Sequence, residues 1–492
     1  MLGVAWTATS RWISIALVCV LIVFMMVIQR ESIMSSSRIT YYTRPRSSLL
    51  PDQGKFWQSF KKDLDEYGPK VYPLIHPEDT NLGISFNASD HRTRPDHLMM
   101  SIPQWEAMHK SHSSFVEKIR AQEYHLPYNA STRGIVTTAG GPYLPVALVS
   151  IRMLRESGSN LPVEVFLSDW KEFDPIICGK ILPALNAKCL ILQDIFDYDH
   201  STKKAKSGGI DKYQYKIMAI LFSSFEDVLF LDSDCFPIHD PESLFLSEPF
   251  ASTGLVLWPD FWFPSESPLF FEIASIQPPP IYTRASTEAG EILYSKRKHE
   301  LSLLLAAYYN YYGPKFFYPL QSQGAPGEGD KETFLWSAVA LDAPFYTVKQ
   351  RVHALGYTTK SDGWKGSAMA QFDPMQDLNA DGAPKDEKTM YPRPFFAHVN
   401  FPKLDPGQIF EAESFGATGP TRDSDGTIRR VWHENEDDAV RFFGFDLERT
   451  VWRVVKDVAC EYEGDFVSWK RKKNICKKAQ EYWNAVFGGE ER

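Results

Sequence analysis

Residues 228–234 read Val228-Leu229-Phe230-Leu231-Asp232-Ser233-Asp234, and this stretch decides the fold class. Four successive apolar residues predict a strand buried on both faces, as in a mostly parallel sheet covered by helices. The run stops at two carboxylates flanking one small residue. Ligands in open α/β sheets gather outside the carboxyl ends of the strands, where Asp232 and Asp234 fall. Two like charges so close repel, and a divalent cation shared with phosphate oxygens removes that repulsion. Mg²⁺ and Mn²⁺ suit one or two carboxylates together with substrate phosphates, so a diphosphate-carrying donor fits the pair. Taken alone, the same residues also read as a solvated turn with Asp234 capping a helix.

Working outward, Tyr213–Ser224 carries apolar residues at 217, 218, 220, 221 and 222, which predicts a helix buried along most of its length. Downstream, Cys235–Phe245 leaves the strand through Pro237 and Pro241. Further strands are predicted at 134–138, 163–167, 189–192 and 253–258, with helices at 102–121, 144–156, 175–185, 296–312 and 333–340. Alternating strands and helices make a doubly wound α/β sheet. Gly140 and Gly141 sit between the first strand and its helix. There the backbone can approach a phosphate at a helix N-terminus, although a plain turn reads the same way. Trp262, in an aromatic stretch after 253–258, suits either sugar stacking or core packing. Glu288–Leu293 is expected simply to precede the helix at 296–312.

Four segments together resemble the fungal Golgi α-mannosyltransferases of glycosyltransferase family 71. They are Thr137-Thr-Ala-Gly140-Gly141-Pro-Tyr-Leu144, Lys216–Phe245, Gly327-Glu328-Gly329-Asp330-Lys331-Glu332-Thr333-Phe334, and Phe396-Ala-His398-Val-Asn400-Phe-Pro-Lys403. The likeness covers roughly residues 130–410, in the family's order. It implies a GT-A-like fold, a GDP-mannose donor, Mn²⁺ (or Mg²⁺), retention of the α configuration and a mannose-terminated glycan acceptor. By that pattern Asp232, Asp234 and His398 are expected metal ligands. Gly140, Gly141, Lys216 and Asp232 are expected at the donor. Asp330 and Glu332 are candidate catalytic carboxylates, with Glu328, Asp330 and Trp262 at the acceptor. A general base there is worth about 10²–10⁴-fold, while helix capping is the plainer reading of the same acids. The linkage (α-1,2 or α-1,3) stays open. So do a UDP-galactose or UDP-glucose donor on the same fold and an inactive lumenal scaffold.

The 492 residues carry net charge −9, which argues against a nucleic-acid binder. At 43% hydrophobic and 23% charged, the chain can bury a large core. Trp12–Ile28 is apolar except for Ser14, long enough for a short transmembrane signal anchor. Expected boundaries are a cytoplasmic tail at 1–11, the anchor at 12–28, a stem at 29–60, a neck at 61–130 packing on the catalytic domain at 131–410, and a helical extension at 411–492. The sequons at Asn87 and Asn129 are usable only if the bulk is lumenal, which gives a single-pass type II protein of the Golgi membrane. In an oxidising lumen Cys178, Cys189, Cys460 and Cys476 are disulfide candidates, with three connectivities open. Cys235 is expected to be a buried free thiol.

Overall fold

The computed structural model describes residues 47–75, 80–198, 209–360, 363–379, 385, 392–411, 420–423 and 425–488. The expected anchor at 12–28 and the loop at 381–388, except residue 385, lie outside the described residues. Among the described residues, no helix is long and apolar enough to cross a membrane.

The described strands, in chain order, are β1 (Asn129–Thr138), β2 (Val163–Leu167), β3 (Ala187–Ile191), β4 (Phe225–Leu231), β5 (Cys235–Pro237) and β6 (Leu255–Pro259). They continue as β7 (Thr287–Ser295), β8 (Tyr346–Thr347), β9 (His353–Thr359), β10 (Gly363–Phe372) and β11 (Pro394–His398). The main sheet runs β3-β2-β1-β4-β7-β6-β8, and a second sheet runs β5-β11-β10-β9. β3, β2, β1 and β4 are mutually parallel, and β8 is parallel to β6. β7 runs antiparallel to both of its neighbours, so the sheet is mixed rather than uniformly parallel.

β7 corrects the expectation that Glu288–Leu293 merely precedes a helix. Two glutamates and a glycine hid a strand whose residues are nearly all buried. The following helix is correspondingly shorter, Glu300–Tyr311. By contrast the quoted apolar run behaves as read. Val228, Leu229 and Phe230 are fully buried and Leu231 nearly so. At about 1.5–3 kcal/mol for each large apolar side chain, this burial fixes the strand that presents Asp232.

The described helices that frame the site are α1 (Leu50–Tyr67), α2 (Ile102–Ala121), α3 (Leu144–Glu156), α4 (Gln214–Phe222), α5 (Glu300–Tyr311) and α6 (Thr333–Ala340). At the C-terminal end lie α7 (Glu436–Phe443), α8 (Leu447–Tyr462) and α9 (Ile475–Phe487). The core divides between the sheet's two faces. On one, α3 and the C-terminal helices share an apolar cluster with β1, β2 and the second sheet. On the other, α4, α5 and α6 pack together with α1 and α2. Both helices are therefore part of the core, which corrects the expected stem at 29–60, since most of α1 falls within it, and places α2 of the neck there too. Phe60 and Phe115 are fully buried, and the Phe115 ring stacks on Tyr308 of α5 at 4.2 Å.

Cys178 is bonded to Cys189 and Cys460 to Cys476, and Cys235 is free and buried.

Candidate metal and donor site

β4 delivers Asp232 at its carboxyl end, and the chain turns at once into β5. The turn is fixed from three sides. The Asp232 amide donates to Gly290 O of β7, the Cys235 amide to Asp232 O, and the Ser150 hydroxyl of α3 to Ser233 O, at 2.8, 2.9 and 2.7 Å. β5 then pairs antiparallel with β11, setting His398 opposite Cys235, and the Val399 amide donates to Asp234 O at 2.8 Å. Residues 164 positions apart thus meet through strand register. One ligand atom each from Asp232, Asp234 and His398 fall within 4.8 Å of one another. His398 Nε2 stands 3.4 Å from Asp234 Oδ1. Two carboxylates and an imidazole are a donor set suited to Mn²⁺, so the side chains present fit the expected metal.

Cations surround these acids. Lys216 of α4 lies 3.2 Å from Asp232 and 3.5 Å from Asp330, and donates to Ala289 O. Lys403 pairs with the other oxygen of Asp234 and is 41% exposed, at the mouth of the site. Burial opposes charge on Asp234, but His398 and Lys403 outweigh it and hold its carboxyl below the usual range. Burial likewise opposes charge on Lys216, and Asp232, Asp330 and Glu288 more than compensate. For Asp330 burial prevails over the pull of Lys216, and its carboxyl rises to about 6.

Of the expected residues, Asp232, Asp234, His398, Lys216 and Asp330 come together. Gly140 and Gly141 stand between β1 and α3, as expected; Gly141 has φ +51, and a side chain at Gly140 would collide with the Glu172 carboxylate. Glu328 lies in the loop before Asp330 and accepts from the Gly324 amide at 2.7 Å.

Glu332 and Trp262 are placed as follows. Glu332 is buried with both oxygens engaged, one by the Thr287 amide at 2.8 Å and the other by Arg284 at 2.9 Å. Arg284 and the Thr287 amide hold this carboxylate from both oxygens, and these surroundings make it a brace. Trp262 pairs through its backbone with Ser85 of the neck and accepts from the Ser286 amide at 2.9 Å. Its described contacts join the neck to the catalytic core, and none is with the acidic cluster.

Three groups at the site escaped sequence reading: Glu288 and Glu291 of β7, and Lys403. Glu288 Oε1 accepts from the Gly290 amide at 2.8 Å and stands 3.5 Å from His398 Nδ1. Glu291 lies beneath the site beside Cys235, where burial and the nearby Glu288 charge push its carboxyl up to about 8. The spacing of Glu288 and Glu291 within an otherwise apolar run was the available signal.

A family profile described as "Mannosyltransferase putative" matches residues 132–286 and 280–373. The chain is 31% identical over 462 residues to alpha-1,2-mannosyltransferase MNN2 of Saccharomyces cerevisiae, spanning 80% of this chain and 74% of that protein. The chain belongs to this family of fungal mannosyltransferases. As a family member it is also 34% identical over 447 residues to alpha-1,2-mannosyltransferase MNN21 of Candida albicans, covering 78% of this chain and 66% of that one. A third mannosyltransferase of the family, MNN24 of Candida albicans, is matched over 60% of its own length at 32% identity. Among solved structures, the glycosyltransferase GlyE of Streptococcus pneumoniae aligns at a TM-score of 0.30 and 13% identity, over 45% of this chain and 46% of that one, too partial a likeness to assign a fold.

Proposed function

We propose that this chain transfers mannose from GDP-mannose to a mannose hydroxyl of a glycan, with retention of the α configuration, on a GT-A-like fold. The observation that carries the reading is the convergence of Asp232, Asp234 and His398 at the carboxyl end of β4, in a chain of this family. These three residues would hold Mn²⁺ or Mg²⁺, which when bound supplies Lewis-acid stabilisation to a departing diphosphate.

The chain's own residues do the rest. Lys216, buried and held protonated, keeps Asp232 in place and brings positive charge toward the donor phosphates. Lys403 adds a second positive charge from the exposed side. Gly141, with open space where a side chain would stand, leaves room for the nucleotide beside α3, whereas the space at Gly140 is taken by the Glu172 carboxylate. Asp330, one residue beyond Gly329, hydrogen-bonds the attacking hydroxyl and orients it.

The proposed setting is the lumenal side of the Golgi membrane, reached through a type II anchor. Support comes from two disulfides, which persist in oxidising compartments, and from the exposure of Asn87 and Asn129 in their sequons. The test offers the purified full chain GDP-mannose, UDP-galactose and UDP-glucose in turn, with Mn²⁺ and a short α-mannoside. Product from GDP-mannose alone is the expected result, and its linkage analysis gives α-1,2 or α-1,3. Product from a UDP-sugar instead would overturn the donor assignment.

A further inference from the structure

His398 is buried, and its Nδ1 finds no hydrogen-bond partner of good geometry in this structure. The acceptor nearest that nitrogen among its described ion pairs is Glu288 Oε1, 3.5 Å away. Gly290 explains how the two approach. A methyl group there would stand 2.4 Å from His398 Nδ1 and 3.1 Å from Glu288 Oε1, so the bare backbone of β7 is what admits the imidazole. Glu288 is itself fixed, because the Gly290 amide donates to the same oxygen. The other ring nitrogen, Nε2, faces Asp234. A histidine whose Nδ1–H is held by a carboxylate presents an unprotonated Nε2 in a set orientation, which is how carboxylate partners raise the metal affinity of ligating imidazoles.

We propose that Glu288 is the positioning residue of the metal site, holding the His398 Nδ1–H so that Nε2 is committed to the ion alongside Asp232 and Asp234. This rests on the proposed metal site and adds a residue that contributes no ligand atom. Its chemistry differs from that of a fourth ligand. A positioning carboxylate acts only through His398 and needs an oxygen acceptor, whereas a ligand acts independently of His398 and needs its charge.

The test is Mn²⁺ affinity, read by calorimetry and by the electron paramagnetic resonance signal of free Mn²⁺, on the full chain without donor. Glu288→Ala is expected to weaken Mn²⁺ binding about ten- to hundredfold. Glu288→Gln, whose amide oxygen still accepts from Nδ1–H, is expected to recover most of that loss. In a His398→Ala background, Glu288→Ala is expected to have no further effect. Thermal unfolding of the metal-free variants, matching the parent, separates these effects from misfolding. Equal affinity in parent and Glu288→Ala would overturn the proposal. So would a loss in Glu288→Gln as large as in Glu288→Ala, or a full Glu288→Ala effect without His398, since either would make Glu288 a ligand. A parent chain that binds no Mn²⁺ would instead defeat the metal reading itself.

Discussion

Asp234 has one oxygen facing His398 and the other facing Lys403, so its carboxylate is committed to the site before any substrate arrives. Asp234→Asn keeps the shape and removes the charge. Loss of the charge that would hold the ion is expected to cut transfer at least about a hundredfold, roughly 2.7 kcal/mol, and to lower thermal stability as well, since His398 and Lys403 stabilise that charge in the folded chain. Gly290→Ala makes a sharper geometric test. Its new methyl would strike the His398 ring, so Mn²⁺ affinity should fall about tenfold or more while the sheet persists. Unchanged affinity would mean His398 is not a ligand. At this scale the sequence was most informative where chemistry is terminal to a strand. Asp232 and Asp234 follow an apolar run and stood out for that reason, whereas His398, after Phe395-Phe396, was singled out by the resemblance. Glu288 and Glu291 did not, because carboxylates inside a strand read as a loop until their partners are seen.

Among the elements, the segment 80–100 and the loop before α6 are tied together more closely than their separation in sequence suggests. Arg94 pairs with Glu266 at 2.5 Å, Glu266 with Arg284 at 2.6 Å, and Arg284 with Glu332 at 2.9 Å. Gln323 adds hydrogen bonds to His97 and Pro95, at 2.7 and 2.9 Å. The ladder ends two residues from Asp330, so it braces the stretch that presents this carboxylate. Arg94→Ala leaves Glu266 with Arg284 as its remaining cationic partner, and is expected to destabilise the fold by about 1.5–3 kcal/mol, the worth of a hydrogen bond to a charged group. Chemical denaturation checks this, and a change below about 1 kcal/mol would show the ladder to be dispensable. Helices α2, α3 and α6 fall where the sequence placed them, each of the last two after a glycine-containing turn. β7, β9 and β10 were not legible, since a buried glutamate pair, several glycines and exposed ends blur the two-residue alternation that marks a strand.

Across the whole molecule, the neck is a stability element. His112 of α2 is buried against Tyr309 of α5, with Nε2 2.8 Å from the hydroxyl, and burial lowers its pKa to about 3. The unfolded chain protonates this ring near pH 6.5 while the folded chain does not. Its contribution is therefore complete above pH 6.5 and is lost as pH falls from there toward 3, by up to about 1.4 kcal/mol per pH unit. Unfolding free energies between pH 4 and 6.5 should show a flatter slope in His112→Gln than in the parent, and equal slopes would refute this assignment. The α/β class and the ordering of the site segments were readable from the sequence. The second sheet was not, because its pairing of β5 with β11 joins segments whose contact is set only by the completed fold.

The central claim is that Asp232, Asp234 and His398 make a metal site that serves nucleotide-sugar chemistry, and GDP binding by the full chain tests it most directly. Titrating GDP with Mn²⁺ present, with Mn²⁺ chelated, and in Asp234→Asn should give tight binding only in the first case. Binding that is indifferent to both chelation and Asp234→Asn would contradict the account.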